Sequence, residues 1–166
     1  MTFYPIGITA TVSRPLVVFE PGSNAGKPDI SGTIDVVIGD NHTSLELDLH
    51  PSYRTTVYMN LSLIVNNGSS PVSVSILVVD KANLPPGGYA YLVVYPADAT
   101  RSYTGWPAAT PAPGTYIAMV DLTSSGETTV GTLNGGEHWE VDLVYYIPEG
   151  TAAATYTAHV QLASEP

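Results

Sequence analysis

An all-β sandwich is the fold this sequence predicts. Three observations carry the expectation: apolar residues recur at every second position, Gly and Pro punctuate the chain at short intervals, and helical spacing is almost absent. The alternation places one row of each strand in a core and the other toward water. With 15 Gly, 14 Pro and 11 Tyr against 2 Phe, the composition is that of short strands joined by turns. Hydrophobic residues make up 44% and charged residues 12%, too apolar for a disordered chain and too weakly charged for a long solvated helix. The 166 residues suit one domain with a substantial core.

The elements follow in order. Thr2 to Val12 offers Ile6, Ile8, Ala10 and Val12 in strict alternation, and Ser13-Arg14-Pro15 breaks this segment from the next run. Continuous apolar runs at Leu16–Phe19, Ile34–Ile38, Tyr89–Tyr95 and Tyr116–Leu122 predict strands covered on both faces. Leu45, Leu47 and Leu49 alternate with Ser44, Glu46 and Asp48. Val57, Met59, Leu61, Leu63 and Val65 form an apolar row opposite Tyr58, Asn60 and Ser62. Val72, Val74, Ile76 and Val78 alternate with serines. Trp139, Val141, Leu143, Tyr145 and Ile147 alternate with Glu140, Asp142, Val144 and Tyr146, and Tyr156, Ala158, Val160 and Leu162 form a last row. Asn67-Gly68 and Asn134-Gly135-Gly136 read as hairpin turns, and Pro85-Pro86-Gly87-Gly88 as a stop. The stretch from Trp106 to Pro113 is a surface loop, and Pro96 to Tyr103 is the one place for a helical turn. The expectation is a jelly-roll or immunoglobulin-like antiparallel sandwich of nine or ten strands: residues 1–14 an N-terminal strand and linker, residues 15–166 one domain.

Charge and composition exclude several functions. A net charge of −10 with five Lys and Arg leaves no basic footprint for nucleic acid and repels anionic membranes. No apolar stretch approaches a membrane-spanning length, so the chain is not expected to insert in a membrane. Without cysteine there are no disulfides, thiolate catalysis or Cys-ligated zinc. No signal peptide is visible, so for a secreted protein the numbering is expected to start at the mature end.

Chemistry-bearing patterns are sparse. No nucleophile elbow, phosphate-cradling Gly loop, HExxH pair or EF-hand series occurs, so no enzyme, metal or cofactor is expected. His42, His50, His138 and His159 are scattered and read as surface or strand-end residues. His138 and His159 would approach each other only if their strands pair. Asp35, Asp40, Glu46 and Asp48 gather around one turn, where they either hold a hard cation or mark the wet face of a strand; the wet face is the expectation. Sequons fall at Asn41, Asn60 and Asn67. Asn41 in a polar loop and Asn60 on an outward row rank ahead of Asn67, whose place in a tight turn constrains it. Tyr156, near the start of a late strand, reads as a tyrosine corner or as a half-buried aromatic.

The C-terminal third runs Leu133-Asn134-Gly135-Gly136-Glu137-His138-Trp139-Glu140-Val141-Asp142-Leu143, then Tyr145-Tyr146-Ile147-Pro148. It resembles the L-x-x-G-x-x-W-x-V…Y-x-I-P stretch of the TasA/camelysin family of secreted biofilm-fibre proteins. The segment from Leu61 to Val72 is similar to that family's central strand–turn–strand, and the nearest likeness is to its archaeal bundling-pilus branch. The resemblance implies a jelly-roll-like sandwich outside the cell that polymerises with its own copies by donor-strand complementation, with Phe3, Ile6, Ile8, Ala10 and Val12 on the donated strand. A protease activity attributed to some members finds no nucleophile or zinc pattern here and is not carried over. A monomeric immunoglobulin-like adhesin or surface module, or a viral structural protein, is the alternative expectation.

Overall fold

The computed structural model describes residues 14–103, 114–152 and 156–165. The expected N-terminal strand and linker over residues 1–14 and the expected Trp106–Pro113 loop lie, but for Arg14, outside these residues. The described chain is all strand and loop: β1 (Val17–Pro21), β2 (Asp35–Ile38), β3 (Ser44–Asp48), β4 (Arg54–Asn66), β5 (Val72–Asp80), β6 (Tyr89–Pro96), β7 (Ala118–Asp121), β8 (Gly126–Leu133), β9 (His138–Ile147) and β10 (His159–Glu165). They form two five-stranded antiparallel sheets, ordered β1-β4-β9-β6-β7 and β2-β3-β10-β5-β8. The expected sandwich is therefore present. Its core lies between the sheets, where Phe19, Leu61, Ile64, Val74, Ile76, Leu92, Leu133 and Leu143 are all but sealed from solvent. Burying side chains of this kind is worth roughly 1.5–3 kcal/mol each.

β9 sets the first sheet. Trp139, Val141, Leu143, Tyr145 and Ile147 face the core as the alternation predicts, and residues directly opposite on a neighbouring strand must face the same way. In β4 these partners are Ile64, Ser62, Tyr58, Thr56 and Arg54. This corrects the expected orientation of β4: Val57, Leu63 and Val65 lie on the outer side and Met59 is exposed, while Tyr58, Leu61 and Ile64 enter the core. Both rows of β4 contain large apolar residues, so the pattern alone pointed to the wrong phase. Pairing with β9 resolves it.

A bulge interrupts that pairing between Tyr58 and Ser62. Its centre is Asn60, whose backbone is left-handed with φ of 47°. The Asn60 N–H is taken by the Asp142 carboxylate at 2.8 Å rather than by a strand. Gly22 passes close over the bulge, where a Cβ would run into the Asn60 carbonyl.

The two Gly-rich turns join the sheets to each other. β4 and β5 lie in different sheets, as do β8 and β9, so Asn67-Gly68 and Asn134-Gly135-Gly136 are corners between layers rather than hairpins. Asn66, fully buried, ties them together. Its Nδ2 donates to the Ser70 carbonyl at 2.9 Å and the Leu133 carbonyl at 3.0 Å, and its Oδ1 accepts from the Gly68 N–H at 2.9 Å. The Asn66 backbone also bonds Glu137 and Gly136. A Cβ on Gly135 would collide with the Ser69 carbonyl carbon and stand 2.8 Å from the Gly68 oxygen. The corners pack backbone to backbone, which only glycine permits.

Candidate functional site

β1 starts the described sandwich at its corner end, where Val17 pairs with Asn66. Leu16, 53% exposed, lies against Gly68, and its carbonyl accepts from the Asn67 N–H at 2.8 Å. The other edge of β1 is occupied by the β2–β3 turn: the Phe19 N–H donates to the His42 carbonyl at 2.7 Å. The chain therefore joins residues 1–14 to the sandwich at the rim of one sheet. Phe3, Ile6, Ile8, Ala10 and Val12 lie outside the described residues.

The opposite half of the sandwich contains a cleft. β3 pairs with β2 along its length from Leu45 to Asp48, but with β10 only at Ser44–Gln161 and Leu45–Val160. Beyond those pairs the chain leading into β10 leaves the ladder. The sheet parts over a cavity of about 70 Å³, lined by Leu45, Leu47, Leu92, Leu143, Tyr156 and Ala158 among others. A volume of that order holds a few waters or one aliphatic side chain. Tyr156 is thus a half-buried aromatic at the mouth of this cleft, ahead of β10 rather than on it.

The outer face of the first sheet holds the principal buried charges. Glu140 and Asp142 occupy the row of β9 that alternation assigned to water, yet Asp142 is fully buried and Glu140 nearly so. This is a second correction. The segment after β6 folds back over the face: Pro96 and Ala99 close a turn at 3.2 Å, and Arg101 lies on the two carboxylates. Its Nε and Nη2 grip Asp142 at 2.6 and 2.7 Å, its Nη1 reaches Glu140 at 2.6 Å, and its guanidinium carbon sits 4.7 Å from the Tyr95 ring centre. Tyr103 donates to Asp142 at 2.9 Å, and the Asn60 amide donates to Glu140 at 3.0 Å. Burial pulls the guanidinium pKa down, but the bonds to Asp142 and Glu140 more than offset this and hold it raised. Burial, then the Tyr95 hydroxyl and Asp142, push Tyr103 far up. Arg101 is the functional-looking residue that sequence reasoning missed. The available signal was a pair of acids in the outer row of an otherwise apolar strand, but its partner lies some forty positions away in the chain.

A second polar anchor ties the β1–β2 connection to β4. Asp29 accepts from the N–H groups of Ile30 and His50, both at 2.7 Å, and from Tyr58 at 3.1 Å. Burial raises its pKa, but these bonds together with the nearby His50 outweigh that and leave it lowered.

The remaining candidates separate. His138 and His159 stand in different sheets; His159 pairs with Asp80 at 2.7 Å on the surface. Asp35 and Asp48 are exposed cross-strand neighbours with Glu46 on the same hairpin, and no group of three metal-ligating side chains gathers among the described residues. Glu140 and Asp142 are committed to Arg101. Asn41 is exposed, its Oδ1 accepting from the Thr43 N–H at 3.2 Å. Asn60 is not on an open row: its side-chain amide is committed to Glu140 at the bulge. Asn67 is exposed and outside the left-handed region, so the tight-turn constraint expected of it is absent. Among the described residues no helix is long and apolar enough to cross a membrane. Comparison with family models and with curated proteins finds no match to this chain.

Proposed function

We propose that this protein is a non-enzymatic structural subunit of an extracellular filament, a bundling-pilus or biofilm-fibre protein, that polymerises by donating its N-terminal strand to the next copy. One observation carries the reading. A segment of thirteen residues with no charged side chain and strict alternation at Ile6, Ile8, Ala10 and Val12 is attached at the rim of a sandwich whose described sheets are built without it. Such a segment has the chemistry of an added strand: backbone bonds supply affinity and alternate side chains supply fit. Head-to-tail donation is heterologous and does not close, so it grows into a fibre.

The test compares the full chain with Ile6→Asp/Ile8→Asp and with a variant lacking residues 1–12, by electron microscopy and sedimentation. Filaments from the full chain and none from either variant support the reading. A truncated chain that still polymerises refutes it, and a full chain that stays monomeric returns the protein to the class of surface modules.

A further inference from the structure

We infer that the residues from Tyr156 to Ala158 are a strap that closes the cleft from within the same chain, by zipping onto β3 in the register that β10 already holds.

That register comes from pairs already made. Val160 stands opposite Leu45 and Gln161 opposite Ser44, and the Leu162 N–H donates to the Thr43 carbonyl at 2.8 Å. On its other side β3 meets β2, where the Gly39 N–H donates to the Ser44 carbonyl at 3.1 Å. Backbone groups along a strand turn alternately to its two neighbours, so the even-numbered positions of β3 serve β2 and the odd-numbered ones face β10. Leu47 therefore turns its N–H and C=O toward the cleft, and among the described residues it has no ladder partner there. Such an edge favours whatever segment can pair with it.

The strap fits this edge without a change of register. Continued backward from Val160, the ladder sets His159 opposite Glu46, Ala158 opposite Leu47, Thr157 opposite Asp48 and Tyr156 opposite Leu49. Both segments already alternate in the matching phase. Leu45, Leu47 and Leu49 are buried or half-buried between the exposed Glu46 and Asp48, and Val160, Ala158 and Tyr156 between the exposed His159 and Thr157. Every inward pair is aliphatic or aromatic and no like charges meet on the outer face, which is the pairing that stabilises a sheet. The ladder stops short at a bulge: Val79 stands as an extra residue of β5 between the partners of His159 and Val160. A bulge bends the strands it joins, and here His159 leans to β5, bonded to Asp80 at 2.7 Å. Closure carries Tyr156 and Ala158 against Leu47, across the cavity of about 70 Å³. The cavity is thereby gated, and a small apolar molecule enters it only while the strap is off β3.

Cysteine pairs at exposed positions test this, because the chain has no cysteine of its own. Thr157 and Glu46 both line the open cleft, whereas Asp48 does not. The open arrangement therefore favours a bond between Glu46→Cys and Thr157→Cys, and the closed one a bond between Asp48→Cys and Thr157→Cys. In a closed ladder, directly opposite residues lie about 4.5–5.5 Å apart at Cβ and diagonal ones about 7–8 Å, against the ~4 Å of a disulfide. Each full-length variant is oxidised in a glutathione buffer, and disulfides within single chains are followed by intact mass and non-reducing gel mobility. The Asp48→Cys/Thr157→Cys bond is expected to form about tenfold faster, or more, than the Glu46→Cys/Thr157→Cys bond. A Glu46 pair that closes as fast or faster overturns the strap, and so do bonds found only between chains. Amide hydrogen exchange on the unmodified chain decides the matter if a cysteine variant does not fold. In the closed ladder the Ala158 N–H faces β3 and the Thr157 N–H faces away, so Ala158 should be protected about threefold more, or better. Equal protection of the two overturns the strap.

Discussion

Replacing Arg101 with Met probes the buried charge cluster directly. The guanidinium side chain is 7% exposed and makes three charge-assisted bonds, two to the fully buried Asp142 and one to Glu140. Removing one partner of a buried ion pair costs about 3–5 kcal/mol, because the other charge stays behind without compensation. Here relief is partial. Asp142 keeps the Asn60 N–H and the Tyr103 hydroxyl, and Glu140 keeps the Asn60 amide. The low end, about 3 kcal/mol, is the expected loss. For a chain of this size it lowers Tm by roughly 6–12 °C. The assay is thermal unfolding followed by circular dichroism. Adding Glu140→Gln and Asp142→Asn should recover at least half of the loss. Arg54→Met, which breaks a fully exposed pair with Glu149, is the control and should leave Tm unchanged. A drop below about 2 °C for Arg101→Met would refute the idea that this cluster clamps the segment onto the sheet.

Other outcomes follow from the same geometry. Asn66→Ala removes three bonds, two within the first corner and one that joins it to the second, and should cost about 2–4 kcal/mol in chemical denaturation, whereas Asn67→Ala should cost little. The carboxyl of Asp29 is lowered in the folded chain, so its stabilisation is complete above the unfolded value near 4 and is lost as the pH falls below it; Asp29→Asn should flatten the acid limb of a stability–pH curve. Tyr58, Tyr95, Tyr103 and Tyr145 are raised, chiefly by burial, so their contribution holds below the ordinary tyrosine value of 10.0 and is lost as the pH rises past it. A phenolate absorbance titration should show the surface tyrosines ionising first and these four only on unfolding. If the protein passes through a glycosylating export route, peptide mapping should find glycan at Asn41 or Asn67 and not at Asn60, whose amide hydrogen is committed to Glu140.

The sequence by itself determined the fold class and much of the core. Period-two alternation in β5 and β9 is local, and it named Val72, Val74, Ile76, Val78, Trp139, Val141, Leu143 and Tyr145 as buried before any pairing was known. It also shows the N-terminal segment to be uncharged and alternating, the feature on which the functional proposal depends. What it did not determine were relations between distant residues. Two Gly-rich turns looked like hairpins because a tight turn has the same residue chemistry whether the next strand lies beside the last or in the opposite sheet; only the packing of Asn66 between the corners chose. The phase of β4 was misread because large apolar residues stand on both its rows, and the partner strand set it. Glu140 and Asp142 looked wet because alternation cannot know that Arg101 returns to cover them. The cleft beside β10 was invisible because it is made by two strands failing to pair, a property of neither strand alone. Local pattern is written in adjacent residues, whereas charge compensation, register and cavities exist only after the chain has brought remote segments together.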